Sequence, residues 1–289
     1  MLHHRAAPRR PQFFYTTAPL PCPYLPGRTE RKVVTELSGP DGEALHDRLS
    51  RAGFRRSHNI AYAPACPGCR ACVPIRVRVA DFLPDRTQRR IARANADLVA
   101  REAPARATAE QYALFGRYQA ERHGEGDMAA MGFYDYRAMV EDTPISSCVV
   151  EFREPGAGGA RAGALVGACL ADLLGDGLSA VYSFYEAGPG AARRSLGTHA
   201  ILWLVARAAS LGLPYVYLGY WVPGSRKMAY KGRFRPSEVL AGGSWRVLTE
   251  AEVAASDAAA FGPPGAGGEG VGGGGCGADA GAAVAAGAG

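Results

Sequence analysis

Alternation and helical spacing divide the chain into a series of short elements. Val77 and Val79 alternate with Arg76 and Arg78, the period-two pattern of a half-exposed strand over residues 73–79. Residues 41–52 instead place Ala44, Leu45 and Leu49 on one helical face. Residues 109–122 repeat Tyr112, Phe115 and Gln119 at the same spacing, and 134–140 continue it. LVGACLADL (165–173) and LSAVYSFYE (178–186) read as strands, SLGTHAILWLVARAASL (195–211) as a helix, and YVYLGYWV (215–222) as a further strand. The Gly/Ala-rich stretch 155–163 separates Glu151-Phe152 from the apolar run at Leu165 and predicts a hairpin loop. A hairpin, a helix and a returning strand make a β-β-α-β order. This predicts an α/β (α+β) fold with helices packed on a mainly antiparallel sheet.

Composition divides the chain into three parts. Residues 251–289 hold 13 Gly and 14 Ala in 39 positions. With so little to bury, this tail is expected to be disordered, and Cys276 within it to be incidental. The ordered remainder is expected to form a basic, cysteine-containing domain over 1–104 and a catalytic domain over 105–250. No apolar run reaches the ~20 residues a bilayer span needs, and the N-terminus lacks the apolar stretch of a secretory signal. A cytosolic protein is the expectation, and clustered thiols in a reducing compartment point to metal or reactivity before disulfides.

The net charge of +6 is unevenly placed: residues 1–106 hold 19 Lys and Arg against 9 Asp and Glu. Clustered Arg on one part of a near-neutral protein suits a polyanion, because phosphate contacts release counterions. Arg86, Arg89, Arg90 and Arg93 belong to this basic region. Arg193, Arg194, Ser195 and Gly197 open the 195–211 helix, where unpaired amides and the helix dipole favour phosphate. An ordinary helix start capped by Ser195 is the competing reading. Arg226, Lys227 and Lys231 lie in a basic loop interleaved with Met228, Tyr230 and Phe234, a composition that can stack bases and neutralise phosphates.

Cys66, Cys69 and Cys72 are three apart, with Cys22 upstream. Four thiolates could complete a tetrahedral zinc site or an iron–sulfur cluster, or could simply pack. Asp172 and Tyr182, on the paired strands, are candidate proton carriers or amine-orienting groups, with a local hydrogen-bonding role as the alternative.

The stretches PCPYLPGRTERKVVTEL, FRRSHNIAYAPACPGCRACVPIRV, LSAVYSFYEAG, RRSLGTHAIL and LPYVYLGYWVPGSRKMAYKGRFRP together resemble the arginyl-tRNA–protein transferase family, most closely its bacterial aspartate/glutamate leucyltransferase branch. The likeness covers about residues 12–246. It implies a GNAT (acyl-CoA N-acyltransferase)-like catalytic core, which Arg194-x-x-Gly197 also resembles in its pyrophosphate loop. It further implies leucyl-tRNA as donor substrate and proteins with N-terminal Asp or Glu as acceptors, marked for N-end rule degradation. The aminoacyl-adenosine end would lie where an acetyltransferase holds its thioester cofactor. An acidic acceptor needs a cation beside it, and Arg76 and Arg78 are the candidates. Eukaryotic members carry an early cysteine pair and a later adjacent pair, associated with an Fe–S cluster. Here Cys22 stands alone and three spaced cysteines follow, so four thiols remain available, but the resemblance does not choose between zinc and an iron–sulfur cluster. Arginyl transfer to the same acceptors, acetyl transfer from acetyl-CoA, and RNA binding without catalysis remain alternatives at this level.

Overall fold

Eight strands in the order β14-β13-β7-β12-β11-β10-β9-β8 form one mixed sheet at the centre of the protein. The computed structural model describes residues 11–124, 126–156 and 163–262. In chain order the sheet strands are β7 (Val73–Arg78), β8 (Val99–Pro104), β9 (Ser147–Arg153), β10 (Leu165–Leu174), β11 (Gly177–Tyr185), β12 (Tyr215–Trp221), β13 (Ser237–Ala241) and β14 (Ser244–Val247). Strands β9 and β10 pair antiparallel as expected; residues 157–162 of their connection lie outside the described residues. Helix α6 (Leu196–Ser210) packs on one face of the sheet, and α3 (Ala109–Arg122) packs on the other with α4 (Phe133–Glu141) beside it. Alternation along β10 divides the core accordingly. Cys169 and Ala171 join the α6 side, while Ala168 and Leu170 join the α3 side.

A four-stranded antiparallel sheet precedes this one. It contains β1 (Tyr15–Thr16), β4 (Lys32–Glu36), β5 (Arg55–Ser57) and β6 (Ile60–Pro64), while β2 (Leu20–Pro21) and β3 (Thr29–Glu30) form a separate pair. Helix α1 (Gly42–Arg51) packs on β5, and Leu37, Leu49, Ala61 and Ile145 form a small core there. Helix α2 (Arg86–Ala94) starts with a capping box, in which Asp85 accepts from Gln88 N at 2.8 Å and Gln88 Oε1 accepts from Asp85 N at 2.9 Å. The short α5 (Pro189–Ala192) leads into α6.

Two expectations change. The boundary at 104/105 does not separate two sheets, because β7 sits between β12 and β13 and β8 pairs with β9. A half-exposed alternating pattern names no pairing partner, and Val77 turns out to be fully buried. The tail is also not disordered throughout: α7 (Glu250–Phe261) is a helix capped by Thr249 and Glu252, with Val253 and Ala260 buried. This first part of the tail is Ala-rich, and Ala carries the best helix propensity, whereas Gly dominates farther on. Residues 263–289, with Cys276, lie outside the described residues.

Candidate active site

Strands β11 and β12 run parallel, and they stay paired only over residues 177–179 against 215–217. Gly177 permits that approach, since a Cβ there would stand 3.0 Å from the Tyr215 carbonyl carbon and closer still to its oxygen. Both strands then leave register. On β11, Leu170 pairs with Tyr182 but Ala171 with Ala180, so Val181 is an extra residue, a bulge. On β12 the register against β7 slips between Tyr217 and Tyr220, where Gly219 adopts φ +76°. The bulge turns two consecutive carbonyls out of the ladder, and Arg55 claims both: Nη2 donates to Ala180 O at 3.1 Å and to Val181 O at 3.0 Å. The guanidinium lies flat against Gly219, where any Cβ would fall 2.6 Å from Nε. The smaller sheet thus wedges a cation into the opening between two strands of the larger one.

A cleft lies at this opening. Arg55, Tyr182, Ser183, Tyr230 and Lys231 give it polar atoms, and Ala200 and Ile201 of α6 form part of its wall. Lys231 is only 2% exposed and donates from Nζ to Tyr220 O at 3.1 Å. The Tyr182 hydroxyl accepts from Gln119 Nε2 at 2.6 Å. Ser195, immediately before α6, takes the left-handed conformation (φ +49°) and makes no side-chain cap bond, so the capping expectation fails there. Left-handed backbone at a non-glycine residue costs roughly 1–2 kcal/mol and is concentrated at functional positions.

The start of α6 is tied to α2. Asn95 Nδ2 donates to Arg194 O at 2.8 Å, and Arg194 Nη2 donates to Asp97 Oδ2 at 2.7 Å. Gln88 Nε2 reaches Arg233 O at 3.1 Å, so α2 also braces the turn that carries Lys231. Arg86, Arg89, Arg90 and Arg93 are exposed on α2, Arg193 is exposed before α6, and Gly197 is buried in the first turn of α6. Arg226 and Lys227 are exposed, with Arg226 Nε donating to Ala260 O at 3.0 Å. His199, one turn into α6, is held down to about 4 by burial and by Arg194.

Several sequence expectations need correction. Asp172 has no exposure and is enclosed by partners. Arg56 Nη2 and Nε donate to it at 2.6 and 2.7 Å, His46 Nε2 lies at 3.0 Å and Ser147 Oγ at 2.6 Å. Burial alone would raise its carboxyl, but Arg56 and then His46 outweigh that and hold it well below the usual range. Fully buried and fully occupied, this carboxylate ties β5, α1 and β9 to β10 and reaches no open surface. Arg76 is likewise engaged: it donates to Glu238 at 2.7 Å and to the Tyr217 hydroxyl at 3.1 Å, between the Tyr215 and Trp245 rings. Arg78 pairs with Asp81 and faces Tyr215, at the closed end of the β11–β12 pair. Lys231 is buried by the turn that carries it and lines the cleft, whereas Arg226 and Lys227 beside it are exposed. Only Tyr182 and Lys231 of the proposed residues line the cleft. Arg55, whose only sequence signal is its place in the FRRS stretch, also lines the cleft.

Cys22, Cys66, Cys69 and Cys72 line one cavity between the β2–β3 and β6–β7 connections. The Cys72 thiol is pushed up to about 12 by burial and then by the three neighbouring thiols. Cys66 Sγ accepts from Arg31 N at 3.3 Å. The donor set suits a thiophilic metal, but among the described residues no three His, Cys, Asp or Glu side chains close on a point that would hold an ion.

The N-terminal model of the arginine-tRNA-protein transferase family matches residues 20–90, and its C-terminal model matches residues 110–241. A leucyltransferase of Granulibacter bethesdensis is 63% identical over 244 residues, spanning 84% of this chain and 88% of its own. The chain belongs to the arginine-tRNA-protein transferase family. That relative, one from Gluconacetobacter diazotrophicus (63% identity, 84% and 90% coverage) and one from Paramagnetospirillum magneticum (60%, 82% and 94%) are each named aspartate/glutamate leucyltransferase. The two transferase segments meet between 90 and 110, near the expected domain boundary, yet the sheet is built from both. A solved structure of L-PGS from Bacillus licheniformis overlaps 61% of this chain and 58% of its own at 10% identity, with a TM-score of 0.42. No described helix is long and apolar enough to cross a membrane.

Proposed function

We propose that this chain transfers leucine from leucyl-tRNA to the N-terminal amine of proteins beginning with Asp or Glu, on a GNAT-like core. The observation that carries the reading is the opened parallel pair: two strands part at a bulge, and Arg55, Tyr182, Tyr230 and Lys231 line the resulting cleft. Family membership and the relatives' names supply the donor and acceptor. Exposed Arg86, Arg89 and Arg90 on α2, Arg193 before α6, and Arg226 and Lys227 suit the phosphates of an acceptor stem.

The reaction forms one amide and breaks one ester. The deprotonated α-amine attacks the leucyl carbonyl, the tetrahedral oxyanion collapses, and the terminal ribose hydroxyl leaves with a proton. Positioning and oxyanion stabilisation suffice for such a step. Lys231 and Arg55 are the cations set in the cleft, suited to an oxyanion or to an acidic acceptor side chain. Tyr182, held by Gln119, orients the amine. The four thiols around one cavity are of the ligand type that zinc or an iron–sulfur cluster takes, and binding would require them to draw together. Either would clamp the two loops, and no step of the transfer passes through it. Metal analysis of anaerobically purified protein tests that part.

The principal test uses labelled leucyl- and arginyl-tRNA with peptides beginning Asp, Glu, Lys or Ala. Leucine is expected on the Asp and Glu peptides alone. Label moving from arginyl-tRNA in preference, or onto Lys peptides, overturns the assignment.

A further inference from the structure

A second cavity adjoins the cleft, and the two share Val181 and Tyr182, the bulge itself. The cleft is lined from α6 by Ala200 and Ile201. The second cavity is lined on the α3–α4 side of the sheet by Met128, Met131 and Met139, with Tyr62, Ser57 and His58 completing it. The bulge therefore joins two differently lined spaces across one sheet. The first presents Arg55 and Lys231; the second presents three thioethers, and no carboxylate is among its lining residues as described.

We infer that this methionine-lined cavity receives the side chain of the amino acid being transferred, and so selects an aliphatic donor over a cationic one. The inference rests on the transfer reading above and adds to it the place where the donor is chosen. Its physical basis is charge. Arg56 borders the cavity, but its guanidinium is committed to Asp172 through two bonds and to His58 O at 2.9 Å. Burial and then Arg56 push the His58 imidazole below its ordinary value, and Ser57 Oγ lies 3.1 Å from its Nδ1. An incoming guanidinium would lose its water and meet no carboxylate among the lining residues, since Asp135 and Asp142 act on His58 only from beyond them. An aliphatic group meets polarizable, adaptable methionine surface, which conforms to a branched chain.

The position of the cavity agrees. An ester carbonyl held at the bulge, between the cations and Tyr182, would place its phosphate-rich body toward α6 and α2 and its side chain toward α4. Met128 and Met139 are nearly fully buried, whereas Met131 is half-buried and follows a 3₁₀ turn (Asp127–Ala130). Met131 is therefore the position that tolerates change.

The test compares transfer from leucyl-, phenylalanyl- and arginyl-tRNA to one Asp peptide. Met131→Ala and Met139→Ala are expected to lower kcat/KM for leucyl-tRNA about tenfold, the scale on which a pocket reads a methylene or two, and to raise the phenylalanyl-to-leucyl ratio. Met131→Glu is expected to raise the arginyl-to-leucyl ratio, with thermal unfolding within a few degrees of wild type. Donor ratios unchanged in folded Met131 variants overturn the inference. So does a change confined to acceptor preference, Asp against Glu, which would make the cavity an acceptor site. A wild-type protein that moves no leucine overturns the transfer reading instead, so the two failures are distinct.

Discussion

Replacing Asp172 by Asn separates an anchoring carboxylate from a catalytic one. The side chain is fully buried and holds Arg56 by two hydrogen bonds at 2.6 and 2.7 Å, with His46 and Ser147 completing its shell. An amide keeps the shape but removes the charge, leaving a guanidinium with no side-chain exposure and no neutralising partner. Breaking a buried pair from one side costs about 3–5 kcal/mol, against a total stability of roughly 5–15 kcal/mol. With an m-value of about 2 kcal/mol/M, the urea midpoint should fall by about 1.5–2.5 M. Adding Arg56→Met removes the stranded charge, so the double variant should recover about 1–3 kcal/mol relative to the sum of the singles. Transfer per folded molecule, assayed cold, should stay within about tenfold of wild type, whereas loss of a proton carrier costs about 10²–10⁴. An Asn variant that unfolds at the wild-type urea concentration yet transfers a hundredfold more slowly would refute the anchor. The carboxyl sits below its ordinary range, so its contribution is present above about pH 4 and is lost as pH falls through the depressed value.

Gly219→Ala forces a side chain into left-handed backbone and onto Arg55. We expect a lower melting temperature and transfer reduced more than tenfold; a variant matching wild type in both would dismiss the wedge. Substituting Arg86, Arg89 and Arg90 together by Ala should leave folding intact, since all three are exposed, and make the log–log salt slope of tRNA binding shallower by about 2. An unchanged slope would take α2 out of the tRNA interface. His58, His123 and His199 are all held below their ordinary value by burial first, His199 down to about 4. The unfolded chain therefore binds protons that the folded one refuses between about pH 6.5 and 4, and stability falls as pH falls through that window. His199→Gln should flatten the slope by up to about 1 kcal/mol per pH unit in urea titrations; an unaltered slope would contradict the burial argument.

Local pattern carried much of the fold. Helix 109–122 lies where its spacing predicts, and the β-β-α-β series 165–222 forms with ends shifted by a residue or so. Those elements declare themselves because periodicity and caps act within a few residues. The stretch RRSLGTHAIL likewise announced a helix start bordered by cations.

The cleft could not be read this way. Arg55 and Arg56 look like a solvated pair, yet a hairpin sends one to the Val181 bulge and the other to Asp172, more than a hundred residues away. Asp172 looks like an acid until those partners surround it, and Lys231 looks like a surface cation until its turn folds inward. The sequence on its own determined the 109–122 helix, the 165–222 series, the basic region and the family. Tertiary structure alone decided which charges are spent and which face the opening, because burial and ion pairing depend on neighbours that chain order does not specify.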